Sequence, residues 1–400
     1  MELTATKHKQ TEVGLIPEDW NVKSLGDIGE VKMCKRIFNY QTKDNGDIPF
    51  YKIGTFGKEP DAFISREIYN EFRNKYSFPT VGSVLISAAG TIGRLVVFDG
   101  TDSYFQDSNI IWIENNNQVI SNEYLRHSFP NVRFQTEGGT IKRLYNNILK
   151  SGLFPCPPNE VEQKAIAQVL SDTDALIQAL EKKITKKKYI KKGVMQKLLT
   201  PKEGWIRVKL NTEIEVNRGG SPRPIQDYIT TSPKGVNWIK IGDTSSKSKY
   251  ITSSKEKIIP EGVQNSRAVN VGDFLLSNSM SFGRPYILKI DGCIHDGWLV
   301  LQNYQGSFDR EFLYYTLMSE DVFKQYLTKA SGSGVLNLNK ELVKTVELNK
   351  PQDVNEQIRI AKILKDIDDE IATSEQKLTK YQLAKQGMMQ QLLTGKIRLV

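Results

Sequence analysis

The chain has 400 residues, 39% of them hydrophobic, and a formal net charge of +9 with a pI near 9.1. This length allows about two to four domains, and the basic charge favours an anionic partner, although it fits an ordinary soluble protein equally well. Cys34, Cys156 and Cys293 lie too far apart for a zinc motif or a disulfide framework. Because the sequence shows neither a secretory signal nor a run long enough to span a membrane, we expect a cytoplasmic protein.

Residues 1–156 alternate short β-type runs with turns rich in Gly, Asn, Asp and Ser, which predicts a mixed α/β domain. The predicted strands VLIS, LVVF and IIWI begin at Val84, Leu95 and Ile110. The run EYLRHSF, from Glu123 to Phe129, predicts a helix.

Residues 157–200 predict one long helix. Asn159 is a good N-cap, Glu162 stands where a capping box needs a glutamate, and Pro201 ends the segment. A heptad pattern predicts an apolar seam that requires a partner helix. Its positions are Ile166, Leu170, Thr173, Ile177, Leu180, Ile184, Lys187, Lys191, Val194 and Leu198.

Residues 201–350 predict a second mixed α/β domain, with strands FLLS, YILKI and WLVL and a single helix from Arg310 to Leu327. Its strings match the first domain faintly. NWIKIG matches PFYKIG, VGDFLLSNSMSFGR matches VGSVLISAAGTIGR, and DGCIHDGWLVLQ matches DGTDSYFQDSNIIWI. A shared framework with divergent inserts is expected of two related domains that read different ligands.

Residues 351–400 repeat the long helix at a constant offset of 194 residues, with Asp353 and Glu356 in place of Asn159 and Glu162. Two copies are too few for a solenoid and predict a pseudo-two-fold molecule. The heptad continues through Ile360, Leu364, Ile367, Ile371, Ser374, Leu378, Tyr381, Lys385, Met388 and Leu392. We therefore expect the copies to pair as an antiparallel coiled coil.

Lysines in the helices leave two interpretations open. The matched Lys191 and Lys385 fall in the seam, where they either fix the register or extend from a frayed end to solvent. The lysine-rich run from Lys182 to Lys192 is either a solvated face or a contact for a DNA backbone.

The motifs together resemble the specificity subunit of type I restriction-modification systems. The most specific ones are the entry PPxxxEQxxIAxxL from Pro157 and the exit GxMQxLLT from Gly193, with the second copy ending in MMQQLLTGKIR. The first domain departs from the family in its Val31-to-Ile37 stretch, which lacks the GGSP turn at Gly219 to Pro222.

The resemblance implies two target-recognition domains that each read one part of a bipartite double-stranded DNA sequence, and a helical spacer that sets the gap. It implies docking of two methyltransferase (M) subunits and allows for two motor-nuclease (R) subunits. It also implies a non-catalytic chain. The residues themselves predict no cofactor, no metal site and no membrane partner.

DNA reading needs cations for phosphates and amide or guanidinium groups for base edges. The candidates are matched basic residues, early-loop arginines and the late GG/GSG loops: Arg36, Lys52, Arg94, Lys142, Arg143, Arg218, Lys240, Arg284, Asn337 and Asn339. Matched pairs such as Arg94 and Arg284 are expected to hold phosphate, because base-reading residues should differ between the domains; a scaffold ion pair is the alternative. For Trp20 and Trp205, a core position is favoured over base stacking.

Catalytic signatures are not found in the sequence. It contains no [DNS]PP[YF] loop of an N6-adenine methyltransferase and no GxxxxGK[ST], and its only histidines are His8, His127 and His295. The ExK-like run Glu181-Lys182-Lys183 lies inside the predicted coiled coil. A self-sufficient nuclease and a protein-interaction scaffold remain as alternatives to a DNA-recognition subunit.

Overall fold

The computed structural model describes residues 7–134, 143–245, 248–278, 282–330 and 338–399. These residues divide into two compact units. Unit 1 comprises Met1–Glu181 with Gln376–Val400, and unit 2 comprises Lys182–Glu375. The boundary cuts through both long helices, so each unit is a mixed domain together with about half of each helix.

Unit 1 contains a four-stranded antiparallel sheet beside a smaller three-stranded sheet. Its strands are β1 (His8–Thr11), β2 (Gly14–Pro17), β3 (Asn21–Ser24), β4 (Gly29–Met33), β5 (Ile48–Tyr51), β6 (Phe63–Ile64), β7 (Val84–Ser87), β8 (Leu95–Val97), β9 (Tyr104–Phe105), β10 (Ile110–Asn115) and β11 (Leu153–Cys156). Its short helices are α1 (Arg66–Lys75), α2 (Asn122–Ser128) and α3 (Asn146–Lys150). The sheet orders are β4-β10-β7-β8 and β6-β5-β9, with β1-β2 and β11-β3 as separate ribbons.

A long helix, α4 (Glu160–Leu199), follows β11 and leads into unit 2. The strands of unit 2 are β12 (Trp205–Lys209), β13 (Glu215–Arg218), β14 (Ile229–Thr230), β15 (Val236–Ile239), β16 (Tyr250–Ile251), β17 (Glu256–Ile258), β18 (Arg267–Val269), β19 (Phe274–Ser277), β20 (Pro285–Leu288), β21 (Gly292–Ile294), β22 (Trp298–Gln302) and β23 (Glu347–Pro351). The helices are α5 (Leu210–Glu213), α6 (Arg310–Leu317), α7 (Glu320–Ala330), α8 (Lys340–Lys344) and the second long helix, α9 (Val354–Leu392).

The two domains share one strand order. The unit 2 sheet β13-β22-β19-β20-β16 repeats β4-β10-β7-β8 with one strand added, and β14-β17-β15-β21-β18 contains the equivalent of β6-β5-β9. The parallel pairs agree as well, with Phe50 opposite Tyr104 in unit 1 and Trp238 opposite Cys293 in unit 2. The structure is therefore a mixed fold of helix and sheet, and its matched sequence strings fall on equivalent strands.

Apolar residues of the predicted strands form the cores. Val84, Ile86, Ile111 and Ile113 are buried in one cluster of unit 1, together with Trp20. Trp205 of unit 2 is half-buried, and its ring centroid lies 6.1 Å from that of Phe312. The core interpretation of these tryptophans is confirmed for Trp20, which is fully buried.

The predicted helix from Arg310 to Leu327 is wrong in one respect, since the structure divides it into α6 and α7. The break falls at Met318 and Ser319. The Ser319 hydroxyl accepts a hydrogen bond from the backbone N–H of Val322 at 3.3 Å and so begins α7.

The starts of the long helices follow the predicted caps. Asn159 Oδ1 accepts from the backbone N–H of Glu162 at 2.8 Å, and Asp353 Oδ1 accepts from that of Asn355 at 2.9 Å. The Glu162 carboxylate was expected to complete a capping box. It instead accepts hydrogen bonds from Arg398, from Nε at 2.5 Å and from Nη2 at 2.8 Å.

The heptad positions coincide with the covered faces of the helices. Every predicted seam position of α4 is buried or half-buried. In α9 the exception is Tyr381, whose side chain is 37% exposed. The pattern of period 3.5 therefore identifies the packed stripe in both copies.

Ion pairs connect α4 and α9 within each unit. In unit 1, Lys385 Nζ lies 2.5 Å from Asp174 Oδ1. In unit 2, Lys191 Nζ lies 2.6 Å from Asp368 Oδ1, and Lys187 pairs with Glu370.

Each of these aspartates also binds the adjacent domain. Arg126 of α2 donates to Asp174 at 2.7 Å, and the Tyr315 hydroxyl of α6 donates to Asp368 at 2.7 Å. A single carboxylate in each unit thus joins α4, α9 and a domain helix.

Candidate nucleic-acid interface

The loops that follow equivalent strands form one cluster in each unit. In unit 1, Arg36 follows β4, Lys52 follows β5, and Asp107 lies between β9 and β10. Arg36 Nε donates to Asp107 Oδ2 at 2.9 Å. The Ile53 backbone N–H donates to Gln106 Oε1 at 2.9 Å, which fixes the loop of Lys52 against that of Asp107.

These loops enclose an open groove of about 270 Å³, with Arg36 and Lys52 both in its lining. The Arg36 side chain is 60% exposed, and Lys52, whose Nζ lies 2.9 Å from Asp61 Oδ1, is 42% exposed. Arg143 joins the cluster by donating from Nη2 to the Ser108 carbonyl at 2.9 Å. Three predicted contact residues are therefore brought together by the fold.

Unit 2 holds an equivalent cluster around Asp296. Arg218 Nε donates to the Asp296 carbonyl at 3.0 Å, and the Ser221 hydroxyl donates to Asp296 Oδ1 at 3.0 Å. Burial works to raise the pKa of Asp296, but the hydrogen bond from the Ser221 hydroxyl, a backbone hydrogen bond and the charge of Arg223 outweigh it, so the pKa is lowered. The carboxylate therefore remains charged beside Arg218 and Arg223.

His295 occupies the position that Gln106 holds in unit 1. Its Nδ1 accepts from the Gly297 backbone at 2.7 Å, and its Nε2 lies 3.3 Å from the Ile241 nitrogen. Burial, together with the charge of Lys240, lowers the pKa of His295. The neutral ring suits this acceptor role, because an imidazolium has no acceptor nitrogen.

The remaining candidates have their own partners. Lys240 pairs with Glu256. Arg94 donates to the Phe56 carbonyl at 2.8 Å, and Arg284 donates to that of Ser248 at 3.2 Å. Both arginines are half-buried and hold a neighbouring loop, so a phosphate contact by them stays a prediction.

The late loops are covered only in part. Asn339 is exposed, and its Oδ1 caps α8 by accepting from the Leu342 backbone at 2.9 Å. Lys142 and Asn337 lie outside the described residues.

Two equivalent pairs of residues at the centres of the clusters were not predicted from the sequence. They are Asp107 with Asp296 and Gln106 with His295. Their signal was the match between FQDSN and IHDGW in the two domains. Because the contact groups expected from the sequence were cations and the asparagines of a late loop, these acidic and neutral side chains were not predicted.

A larger groove, of about 700 Å³, lies elsewhere in unit 2 and contains none of the ten loop and strand-end candidates for DNA contact. Its walls are the second half of α4 and the start of α7. Met195, Leu199 and Phe323 provide apolar lining, and Lys188 and Lys192 stand with them.

Metal and membrane chemistry are not indicated in the part of the chain that the structure describes. No three or more His, Cys, Asp or Glu side chains there are grouped so as to hold a metal ion. Over the same residues, no helix is both long and apolar enough to cross a membrane.

Comparison with known proteins identifies the family. The type I restriction modification DNA specificity domain matches residues 17–188 and again residues 202–381. The chain belongs to the family of type I restriction-modification specificity subunits. The double match agrees with the repeated strand order, since each domain with its long helix corresponds to one copy.

Relatives of this specificity subunit carry the same description. A Haemophilus influenzae protein named as a type I restriction enzyme specificity subunit is 52% identical over 166 residues, which cover 41% of this chain and 43% of that protein. The MjaVIII specificity subunit of Methanocaldococcus jannaschii is 28% identical over 421 residues, covering 96% of this chain and 94% of the relative.

A solved structure shares the fold. The crystal structure of the type I system S subunit from M. genitalium covers 98% of this chain and 99% of its own, with a TM-score of 0.60 and 14% identity. At this identity the likeness concerns the fold alone.

Proposed function

We propose that this chain is the non-catalytic subunit that gives a type I restriction-modification complex its DNA sequence specificity. Residues 1–156 and 201–350 are the two target-recognition domains, and each reads one half of a bipartite double-stranded target. Family membership supports the role of specificity subunit. The pair of equivalent loop clusters around Asp107 and Asp296 supports the assignment of one half-site to each domain.

The observation that carries the proposal is that the two domains share one strand order but differ in the side chains of their loops. Arg36 and Arg218 each donate to the aspartate of an equivalent loop, whereas Gln106 of unit 1 is replaced by His295 in unit 2. Phosphate contacts carry no sequence information and can be shared, but groups that read bases must differ when the half-sites differ.

The helices of residues 157–200 and 351–400 form, in this proposal, the antiparallel coiled-coil spacer between the domains. Support comes from the ion pairs, because Lys187 pairs with Glu370 while the later Lys191 pairs with the earlier Asp368. The pairs are also equivalent, since 194 residues separate Asp174 from Asp368 and Lys191 from Lys385. This equivalence supports the expected pseudo-two-fold relation between the two helix copies.

Two methyltransferase subunits dock on this scaffold, and motor-nuclease subunits join them where the system also cleaves. The groove beside α4 and α7 supports docking, because an apolar floor with a charged rim is typical of a protein interface. In this proposal the complex works in the cytoplasm.

Salt dependence of DNA binding tests the proposal. The chain co-expressed with its methyltransferase partner should bind target duplex with a logarithmic salt slope of several units, because each phosphate contact contributes about −0.9 to that slope. Binding that is independent of salt, or of sequence, would favour a protein-interaction scaffold. The purified chain with magnesium should leave plasmid uncut, and cleavage would indicate a self-sufficient nuclease.

A further inference from the structure

An exposed pair of aromatic rings stands in the loop after Arg36. Phe38 is 51% exposed and Tyr40 is 83% exposed. Their rings are nearly parallel, at an interplanar angle of 7°, with centroids 5.8 Å apart. We call Phe38 and Tyr40 the aromatic pair.

The loop holds the aromatic pair in a fixed conformation. The Phe38 backbone N–H donates to Gln41 Oε1 at 2.9 Å, which closes a 3-10 turn over Asn39–Gln41. Cys34 and Ile37 are buried and anchor the loop from below. Large apolar rings that are held outward without a core role mark an interaction surface.

The surroundings favour DNA as the partner. Asn39 and Thr42, from the same loop, line the polar groove together with Arg36 and Lys52. Lys35, before the aromatic pair, and Lys43, after it, are both exposed. A ring pair set among hydrogen-bonding groups and cations matches the edge of a base pair more closely than it matches an apolar protein surface.

The aromatic pair belongs to one recognition domain alone. In unit 2 the equivalent 3-10 turn, Ile225–Asp227, follows β13, with Pro224 at the cap position of Phe38. Gln226 takes the place of Tyr40 within the turn. Because side chains that read bases must differ between domains with different half-sites, this contrast favours a base contact over a phosphate contact.

The spacing of the rings limits the kind of contact. A base stacked between them would need roughly 6.8 Å, twice the 3.4 Å rise of DNA. The centroids are closer than that. The outer surfaces of the rings therefore remain for apolar contact, and the apolar group that a base pair presents in the major groove is the thymine methyl group.

Building on the proposed function, we propose that the aromatic pair is a specificity determinant that reads a thymine 5-methyl group in the half-site of unit 1. This half-site accordingly contains an A·T pair at a fixed position. Arg36 and Lys52 lie beside the aromatic pair, where they contact the backbone or the neighbouring base.

Deoxyuridine, which lacks only the methyl group, tests the contact. In the complex with the methyltransferase partner, replacing one thymine of the unit 1 half-site by deoxyuridine should weaken wild-type binding about fourfold, as expected for one buried methyl group. Phe38→Ala with Tyr40→Ala should bind the unmodified duplex more weakly and lose the difference between thymine and deoxyuridine. The methylome of cells with this variant should become degenerate at that A·T position alone.

Controls separate the outcomes. Tyr189→Ala removes another exposed tyrosine, 73% exposed on α4, and should leave the deoxyuridine effect unchanged. The inference would be overturned if the double variant kept the full wild-type deoxyuridine effect. It would also be overturned if the only defect of the double variant were a loss of assembly with the methyltransferase. Sequence-specific binding by the wild-type complex keeps the proposed function intact in either case, whereas its absence would refute both.

Discussion

At the scale of single residues, the carboxylate of Glu162 in unit 1 is buried and therefore needs a bound cation. Glu162 is fully buried, and Arg398 binds it while also donating from two nitrogens to Asp19 at 2.9 Å. The Arg398 guanidinium lies 5.6 Å from the centre of the Trp20 ring. The last residues of the chain thereby close the core beside the start of α4.

We expect Arg398→Ala to lower the free energy of unfolding of unit 1 by about 3 to 5 kcal/mol, since it leaves a buried charge without its partner. Arg207→Ala is the matched control. Arg207 pairs with Glu347, but its side chain is 63% exposed, so the loss should be about 1 kcal/mol or less. Urea denaturation measures both, and equal losses would show that burial does not govern the Arg398 contact.

His127 gives unit 1 a dependence on pH. Its Nε2 lies 2.9 Å from Ser171 Oγ, and burial, assisted by the charge of Arg126, lowers its pKa to about 4. Asp174 acts in the opposite direction and Lys385 in the same one. Because the unfolded chain binds a proton near pH 6.5 and the folded chain does not, this contribution to stability is complete above pH 6.5 and is lost as the pH falls towards 4.

The prediction is that wild-type unit 1 loses about 3 kcal/mol more than His127→Gln does between pH 6.5 and pH 4, at about 1.4 kcal/mol for each pKa unit. Glutamine can still bind Ser171 but cannot be protonated in this range. Urea midpoints at a series of pH values measure the difference, and parallel curves for the two proteins would contradict the neutral, buried histidine.

At the scale of the elements, the ion pairs between α4 and α9 define the direction of helix pairing. A carbodiimide joins a lysine to a carboxylate only when the two are in contact. We expect cross-links between Lys191 and Asp368 and between Lys385 and Asp174, detected by mass spectrometry of peptides.

Asp368→Asn should remove the first of these cross-links and preserve the second. Cross-links that join residues of similar position in the two helix copies, such as Asp172 with Lys365, would instead indicate parallel pairing and would contradict the proposed antiparallel spacer.

The elements also show what could be predicted from the sequence. The heptad and the caps at Asn159 and Asp353 depend on local spacing, so the long helices were predictable almost to the residue. The break between α6 and α7 was missed because one Ser cap outweighs an otherwise continuous helical pattern. The sequence did not determine the ion-pair partners of Lys191 and Lys385, since spacing along one helix does not identify the facing residue on another.

The candidate site was predictable only as a set of cations and two asparagines. Sequence matching placed Arg36 and Lys52 in loops, and their convergence around Asp107 required the fold to bring three distant loops together. Asn339 shows a different limit of prediction from the sequence. The sequence predicts a DNA contact for this polar residue of a Gly-rich loop, and the structure shows that the same residue caps a helix.

At the scale of the whole molecule, the proposed spacer sets the distance between half-sites, which we expect to lie about one turn of DNA apart, roughly 34 Å between centres. Insertion of four helical residues adds about 6 Å at 1.5 Å for each residue. Inserted into both helices between residues 181 and 182 and between 375 and 376, where the two units divide, they should lengthen the gap by about one or two base pairs, at 3.4 Å for each base pair.

Methylation mapping reads the gap in the insertion variant. A companion variant with alanine substitutions at four exposed positions of the same helices should keep the original gap. If the doubly inserted protein still directs methylation with an unchanged gap, the helices do not measure the distance.

In the proposed function, two unlike domains read the two halves of one split target. Methylome sequencing of cells that carry this chain with its methyltransferase partner tests it most directly. We predict a single modified motif made of two short specific parts separated by a gap of fixed length and free sequence. A continuous motif, or a chromosome without any motif that depends on this chain, would contradict the account.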